Sequence, residues 1–182
     1  MNLYRYVSVA LLAALGAVFQ IVHIGVPTAW GMWVDIVAVP ILLALFLFDL
    51  KHSLAVAVLI ALILTIAAPS GFIGAIMKFV ATLPMFLVLG LGAKYRGWKL
   101  SDLKVLVVLT AIALVVRSAL VVPFNYYWAL PTFFNLPTEQ ALQFVPWWIM
   151  VGLNTVQGIV EVAIAWVLAY RFKLVERYGS KV

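Results

Sequence analysis

Apolar residues in this chain come in long runs separated by short polar stretches. A membrane-spanning helix needs roughly 20 predominantly apolar residues. The runs predict six such helices, over 5–24, 33–48, 53–68, 72–94, 103–123 and 146–172. The second and third are short, which calls for tilting, a thinner bilayer or burial by neighbours. No strand-like alternation of the kind a transmembrane barrel needs is present, nor any internal repeat or low-complexity tract. The pattern predicts an all-α, polytopic membrane protein of six transmembrane helices, folded as one domain over 1–182. Between the fifth and sixth runs lies "VVPFNYYWALPTFFN", residues 121–135. Its proline disfavours helical geometry at Val122, so the fifth helix is expected to end or kink there.

Composition supports lipid as the solvent. The chain is 67% hydrophobic and 10% charged, with a mean hydropathy of +1.19. Soluble domains are about half apolar and about a quarter charged. The first 20 residues carry an Arg, an apolar stretch and small residues, as a cleaved signal peptide does. Further runs of the same kind follow, which favours a first span instead. The absence of cysteine excludes disulfides, thiolate metal sites and a cysteine nucleophile.

The net charge of +6 is a topology signal. If both termini are cytoplasmic, the inner segments hold Arg5, Lys51, Lys94, Arg96, Lys99, Lys104, Arg171, Lys173, Arg177 and Lys181. The outer segments, around 25–32, 68–71 and 124–145, contain no Lys or Arg. This split follows the positive-inside rule. It places a multi-pass protein in the cell membrane and argues against a nucleic-acid role.

Ionisable groups at membrane depth are costly and usually face protein or a water-filled cavity. Asp35 opens the second span, Lys78 lies about two turns into the fourth from the outer side, and Arg117 about two turns below the outer end of the fifth. The sixth carries Asn154, Gln157 and Glu161 on one stripe. One reading is that such groups pair and hold helices together; Glu161, deeper toward the inside, suits it, with Arg117 as a partner. The other is a pocket open to the outside, built by Asp35, Lys78, Arg117, Asn154 and Gln157 with Asn125. Aromatics crowd the same end: Trp30, Trp33, Phe124, Tyr126, Tyr127, Trp128, Phe133, Phe134, Trp147 and Trp148. They form either an interfacial belt or walls for a planar, partly apolar ligand.

No catalytic constellation stands out. His23 and His52 fall near opposite faces and cannot share a metal, and no HExxH, GxSxG or P-loop occurs. The chain reads as a binder, not an enzyme. In "SVALLAALGAV" of the first span, Ala10, Ala14 and Ala17 form a small-residue stripe flanked by Ala13 and Gly16. Such stripes let another helix approach closely in lipid, either within the protein or from a partner.

Taken in order, "ALLAALGA", "WVDIVAVPILLA", "PSGFIGAIMKFVATLPM" and "NYYWALP" followed by "GLNTVQG" resemble the substrate-binding S component of energy-coupling factor (ECF) vitamin transporters. The pattern looks closest to the riboflavin-specific RibU branch, and the resemblance runs along nearly the whole chain. It implies that Ala10, Ala13, Ala14 and Ala17 dock a membrane coupling (T) subunit driven by two ATP-binding subunits. It also implies that Asn125, Asn154 and position 157 line a vitamin pocket, with Lys78 nearby and the 25–33 loop as a lid. Asp35, Arg117, Tyr126 and Tyr127 complete the expected binding set. Riboflavin is then the transported ligand and no resident cofactor is implied. The riboflavin proteins tend to show F-N-x-x-K on the last span, whereas this chain reads Leu153-Asn154-Thr155-Val156-Gln157. The alternatives are another vitamin, a small anionic or nucleobase-like ligand in the same family, or a stand-alone solute carrier. The lack of inverted repeats counts against the carrier.

Overall fold

The computed structural model describes residues 3–30, 33–68 and 71–179. The tip of the expected 25–33 lid (Gly31, Met32), Pro69 and Ser70 of the "PSGFIGAIMKFVATLPM" stretch, and Lys181 lie outside the described residues. The chain forms α1 (Leu3–Ile21), β1 (Gly25–Pro27), β2 (Trp33–Asp35), α2 (Ala38–Leu47), α3 (Leu50–Ala67), α4 (Gly71–Arg96) and α5 (Leu103–Phe124). After these come α6 (Leu130–Phe134), α7 (Thr138–Phe144), α8 (Trp147–Trp166) and α9 (Leu174–Tyr178). Among the described residues, five helical runs are long and apolar enough to cross a membrane: α1, α3, α4, the run Leu103–Phe134 and the run Trp147–Arg171.

The second expected span departs from a simple helix. Residues 33–35 are a strand, paired antiparallel with β1 in the register Gly25↔Asp35, Val26↔Val34 and Pro27↔Trp33. The helical part, α2, has ten residues, about 15 Å at 1.5 Å per residue, or half a hydrocarbon core. Nine of the ten, Ala38 to Phe46, are buried. Its neighbours α1, α3, α4 and α8 wrap it and shield it from lipid, so its length need not match the bilayer. The third expected span is an ordinary 18-residue helix whose N-cap, Asp49, accepts from the backbone N–H of Lys51 (2.8 Å) and His52 (3.0 Å).

Pro123 does not end the fifth span. The helix runs through it to Phe124, continues as one wide π-turn over 125–129, and resumes as α6. A proline has no N–H and crowds the carbonyl four residues back, and a wider turn beside it absorbs the mismatch. The Asn125 N–H is shared between the carbonyls of Val121 and Val122.

Contacts join the basic ends of the helices. Tyr4 packs edge-on against Phe48, Phe46 against Tyr170, and Trp166 Nε1 donates to the Leu100 carbonyl at 3.0 Å. The start of α1, the end of α2, the α4–α5 loop and the end of α8 therefore meet at one end of the bundle. The hairpin belongs to the other end.

Candidate functional site

The hairpin places Asp35 at the head of a polar network. Its Oδ1 accepts from the Val37 N–H and from Gln157 Nε2, both at 3.1 Å, and its Oδ2 from Lys78 Nζ at 2.5 Å. Gly25 makes the close strand pairing possible, since a Cβ there would sit 2.5 Å from the Val34 carbonyl oxygen. On α8, Gln157 Nε2 also donates to Glu161 Oε1 at 3.1 Å. From α5, Arg117 Nη1 donates to Glu161 Oε2 (3.3 Å) and its Nε to Asn154 Oδ1 (3.1 Å). Gly158 lets α5 come this near: a Cβ there would meet Leu114 at 2.6 Å and Arg117 Nη1 at 3.4 Å.

Two carboxylates thus balance two cations, and each charge has a named partner. Arg117 is 2% exposed and Glu161 1%, so this pair is fully withdrawn from solvent. An unpaired charge at such depth would cost several kcal/mol. The pairing reading of Glu161 and the pocket reading of its neighbours both describe parts of one network.

Above the network lies a cavity of about 210 Å³. From α4 it is lined by Gly74, Met77, Lys78 and Ala81, and from α5 by Arg117 and Val121. Trp33 and Asp35 of β2, Asn125 of the π-turn, and Asn154 and Gln157 of α8 complete it. Six of the eight residues expected to bind a ligand therefore surround one space, drawn from four separate parts of the chain. The wide turn after Pro123 brings Asn125 to its rim, where Asn125 Nδ2 donates back to the Val121 carbonyl at 2.9 Å.

Tyr126 and Tyr127 stand elsewhere. Tyr126 is buried against Val145 and Met150, its hydroxyl donating to the Val145 carbonyl. Tyr127 is 68% exposed. Among the ten aromatics at this end only Trp33 is among the cavity-lining residues. Phe133, Trp147 and Trp148 are exposed as belt residues are, and Trp30 packs on the Tyr126 cluster. Of the aromatic walls expected from the sequence, this cavity has the Trp33 indole, while Tyr126, Trp147 and Trp148 line a separate cavity of about 410 Å³ with Leu142, Gln143 and Pro146. Two residues the sequence did not single out for the site are Gly25 and Gly158. A glycine inside a strand, or facing a neighbouring helix, is the signal that marks them.

The small-residue face of α1 divides. Ala13, Ala17 and Gly16 are buried against the bundle, where a Cβ on Gly16 would run into Ile60 of α3. Ala10 and Ala14 are exposed, beside exposed Val7, Leu11 and Val18. Ala13 and Ala17 are therefore taken up by packing within the chain and are closed to a partner.

The model of the family "ECF transporter, substrate-specific component" matches residues 5–172. A solved structure described as "Structure and mechanism of the S component of a bacterial ECF transporter" superposes with a TM-score of 0.72. It covers 93% of this chain and 94% of its own, at 23% sequence identity, and the likeness is one of fold. No curated protein matches the chain.

Proposed function

The chain belongs to the substrate-specific components of ECF transporters, and on that premise we propose that it captures riboflavin, an uncharged, hydrogen-bonding vitamin, from outside the cell. The observation that carries this reading is the paired state of the charges around the cavity. Lys78 is already bonded to Asp35, and Arg117 to Glu161. An anionic ligand would have to pull a cation from its partner, whereas a neutral one with carbonyl, imide and hydroxyl groups meets amides and spare N–H donors. Trp33 supplies a flat face for a ring system.

In this reading six crossings put both termini in the cytoplasm, and the cavity opens outward. Segment 33–48 makes one crossing as a strand followed by the buried α2. A coupling subunit driven by two ATPases docks on the exposed Ala10 and Ala14 and carries the loaded protein toward the inside.

One observation favours a smaller ligand. About 210 Å³ falls below the roughly 300–1,000 Å³ usual for drug-sized ligands, so riboflavin requires the hairpin or Trp33 to give way. Purified protein in detergent is the test. Riboflavin fluorescence should be quenched on addition. At a hundred times its dissociation constant, riboflavin should stabilise the fold by about 2.7 kcal/mol. A folded preparation that neither quenches riboflavin nor is stabilised by it, but is stabilised by a smaller vitamin, would replace the ligand and keep the family.

A further inference from the structure

Glu161 is not among the residues that line the cavity, yet it fixes what the cavity offers. Both amide protons of Gln157 are committed: Nε2 donates to Asp35 Oδ1 and to Glu161 Oε1, each at 3.1 Å. The reverse orientation would point the amide oxygen at two carboxylates and leave all three without a hydrogen between them. Nε2 therefore faces the carboxylates, and Oε1 is left over. Among the described residues no donor reaches Oε1, and Gln157 lines the cavity. Asn125 repeats the pattern, with Nδ2 donating to the Val121 carbonyl and no described donor on Oδ1.

Glu161 can hold this arrangement because it is itself held. Its Oε2 takes Arg117 Nη1, and its Oε1 also lies 3.4 Å from the Ala38 N–H at the start of α2. A carboxylate is favoured at a helix N-terminus, so three elements agree on one side-chain position.

We propose that Glu161 is a positioning residue which, with Asp35, locks position 157 as a hydrogen-bond acceptor, and that the site selects ligands presenting an N–H there. The proposal rests on the flavin reading above for its chemical detail. Riboflavin's ring edge carries a single imide N–H between two carbonyls, and that N–H suits Gln157 Oε1 as acceptor. A lysine at that position could only donate, so the amide reverses the polarity of recognition.

Two measurements test this, and they fail independently. The first needs no ligand. Full-length protein labelled with ¹⁵N-glutamine in lipid nanodiscs gives side-chain signals from Gln20, Gln140, Gln143 and Gln157, and Gln157→Met identifies that of residue 157. Its protons should exchange with solvent at least about tenfold more slowly than those of exposed Gln140, because both are hydrogen-bonded. The double variant Arg117→Leu/Glu161→Leu, which removes the ion pair as a unit and so avoids an orphaned charge, should accelerate exchange of one of the two protons. Exchange as fast as Gln140's in the wild type, or unchanged exchange in the double variant, would overturn the positioning role.

The second compares riboflavin with 3-methylriboflavin, whose imide N–H is replaced. Wild-type protein should bind the methylated compound about ten- to a hundredfold more weakly, the cost of leaving a buried acceptor unmet. Gln157→Met should narrow the ratio to about threefold or less. A ratio unchanged in Gln157→Met would mean that the methyl group is rejected by shape, and the acceptor role would be lost. If wild-type protein bound neither flavin, the ligand reading of the preceding section would fall with the imide assignment, and the exchange data would still decide how Gln157 is held.

Discussion

Asp35 carries more of the site than any other side chain, accepting from Val37, Lys78 and Gln157 while 3% exposed. Asp35→Ala strands Lys78 without its partner, and breaking a buried pair in this way costs about 3–5 kcal/mol. Thermal unfolding in detergent should show that loss. The double variant Asp35→Leu/Lys78→Met should regain most of it, although ligand binding stays impaired. Asp49 makes a different case at the basic end of the bundle. Burial tends to raise its pKa, but N–H donors of His52 and Lys51 and the His52 ring outweigh burial and hold the carboxyl below its ordinary value. A depressed folded pKa contributes stability above the unfolded value, near 3.9, and that contribution fades as pH falls through the folded one. Asp49→Ala should therefore cost about 0.5–2 kcal/mol at pH 7 and progressively less below about pH 4. Unfolding midpoints of the two proteins measured across that range check it. The four charged and two amide positions of the network were legible in the sequence because polar groups at membrane depth are rare and expensive. The role of Tyr126 was not, since an outer-end tyrosine has the same local pattern whether it faces a ligand, a lipid headgroup or, as here, the Val145 carbonyl.

Elements were legible where length alone decides them, as in α1, α3, α4 and α8. They were not legible where a neighbour decides. The ten residues of α2 are as apolar as any span, but the adjoining β2 is fixed by pairing with a strand eight residues upstream. Likewise Pro123 reads as a stop or a kink from its own chemistry, and only the turn that follows shows the helix surviving it. The face of α1 was legible as small and ambiguous as to partner, and burial separates its halves. Ala17 is 3% exposed and Ala13 2%, whereas Ala14 is open. Ala17→Trp should overpack the buried face of α1 and destabilise the protein by about 1–3 kcal/mol or more. Ala14→Trp should leave thermal stability and riboflavin quenching near wild type while abolishing co-purification with the coupling subunit. Intact co-purification and transport by Ala14→Trp would remove the docking role of this face.

The whole molecule is polar in one sense: basic residues gather at one end and the cavity at the other. Parity ties the two together. Five long helices alone would leave the termini on opposite sides, whereas counting segment 33–48 as a crossing makes six and returns them to one. That segment starts at the cavity, where Asp35 meets Lys78, and finishes where Phe46 and Phe48 meet Tyr170 and Tyr4. It runs the depth of the bundle although its helix is half a bilayer long, because extended residues rise about 3.3 Å each against 1.5 Å in a helix. The proposed topology, which follows the positive-inside rule, puts the end holding Arg5, Lys51, Lys99 and Arg177 in the cytoplasm. The chain has no cysteine, so each introduced thiol reports alone. Gln140 on α7 and Glu176 on α9 are both exposed, at opposite ends. In intact cells a membrane-impermeant maleimide should label Gln140→Cys and spare Glu176→Cys until the membrane is opened. Labelling of Glu176→Cys alone would invert the protein. Labelling of both in sealed cells would mean that segment 33–48 does not cross the membrane, and the cavity would then have to be loaded with the termini on opposite sides.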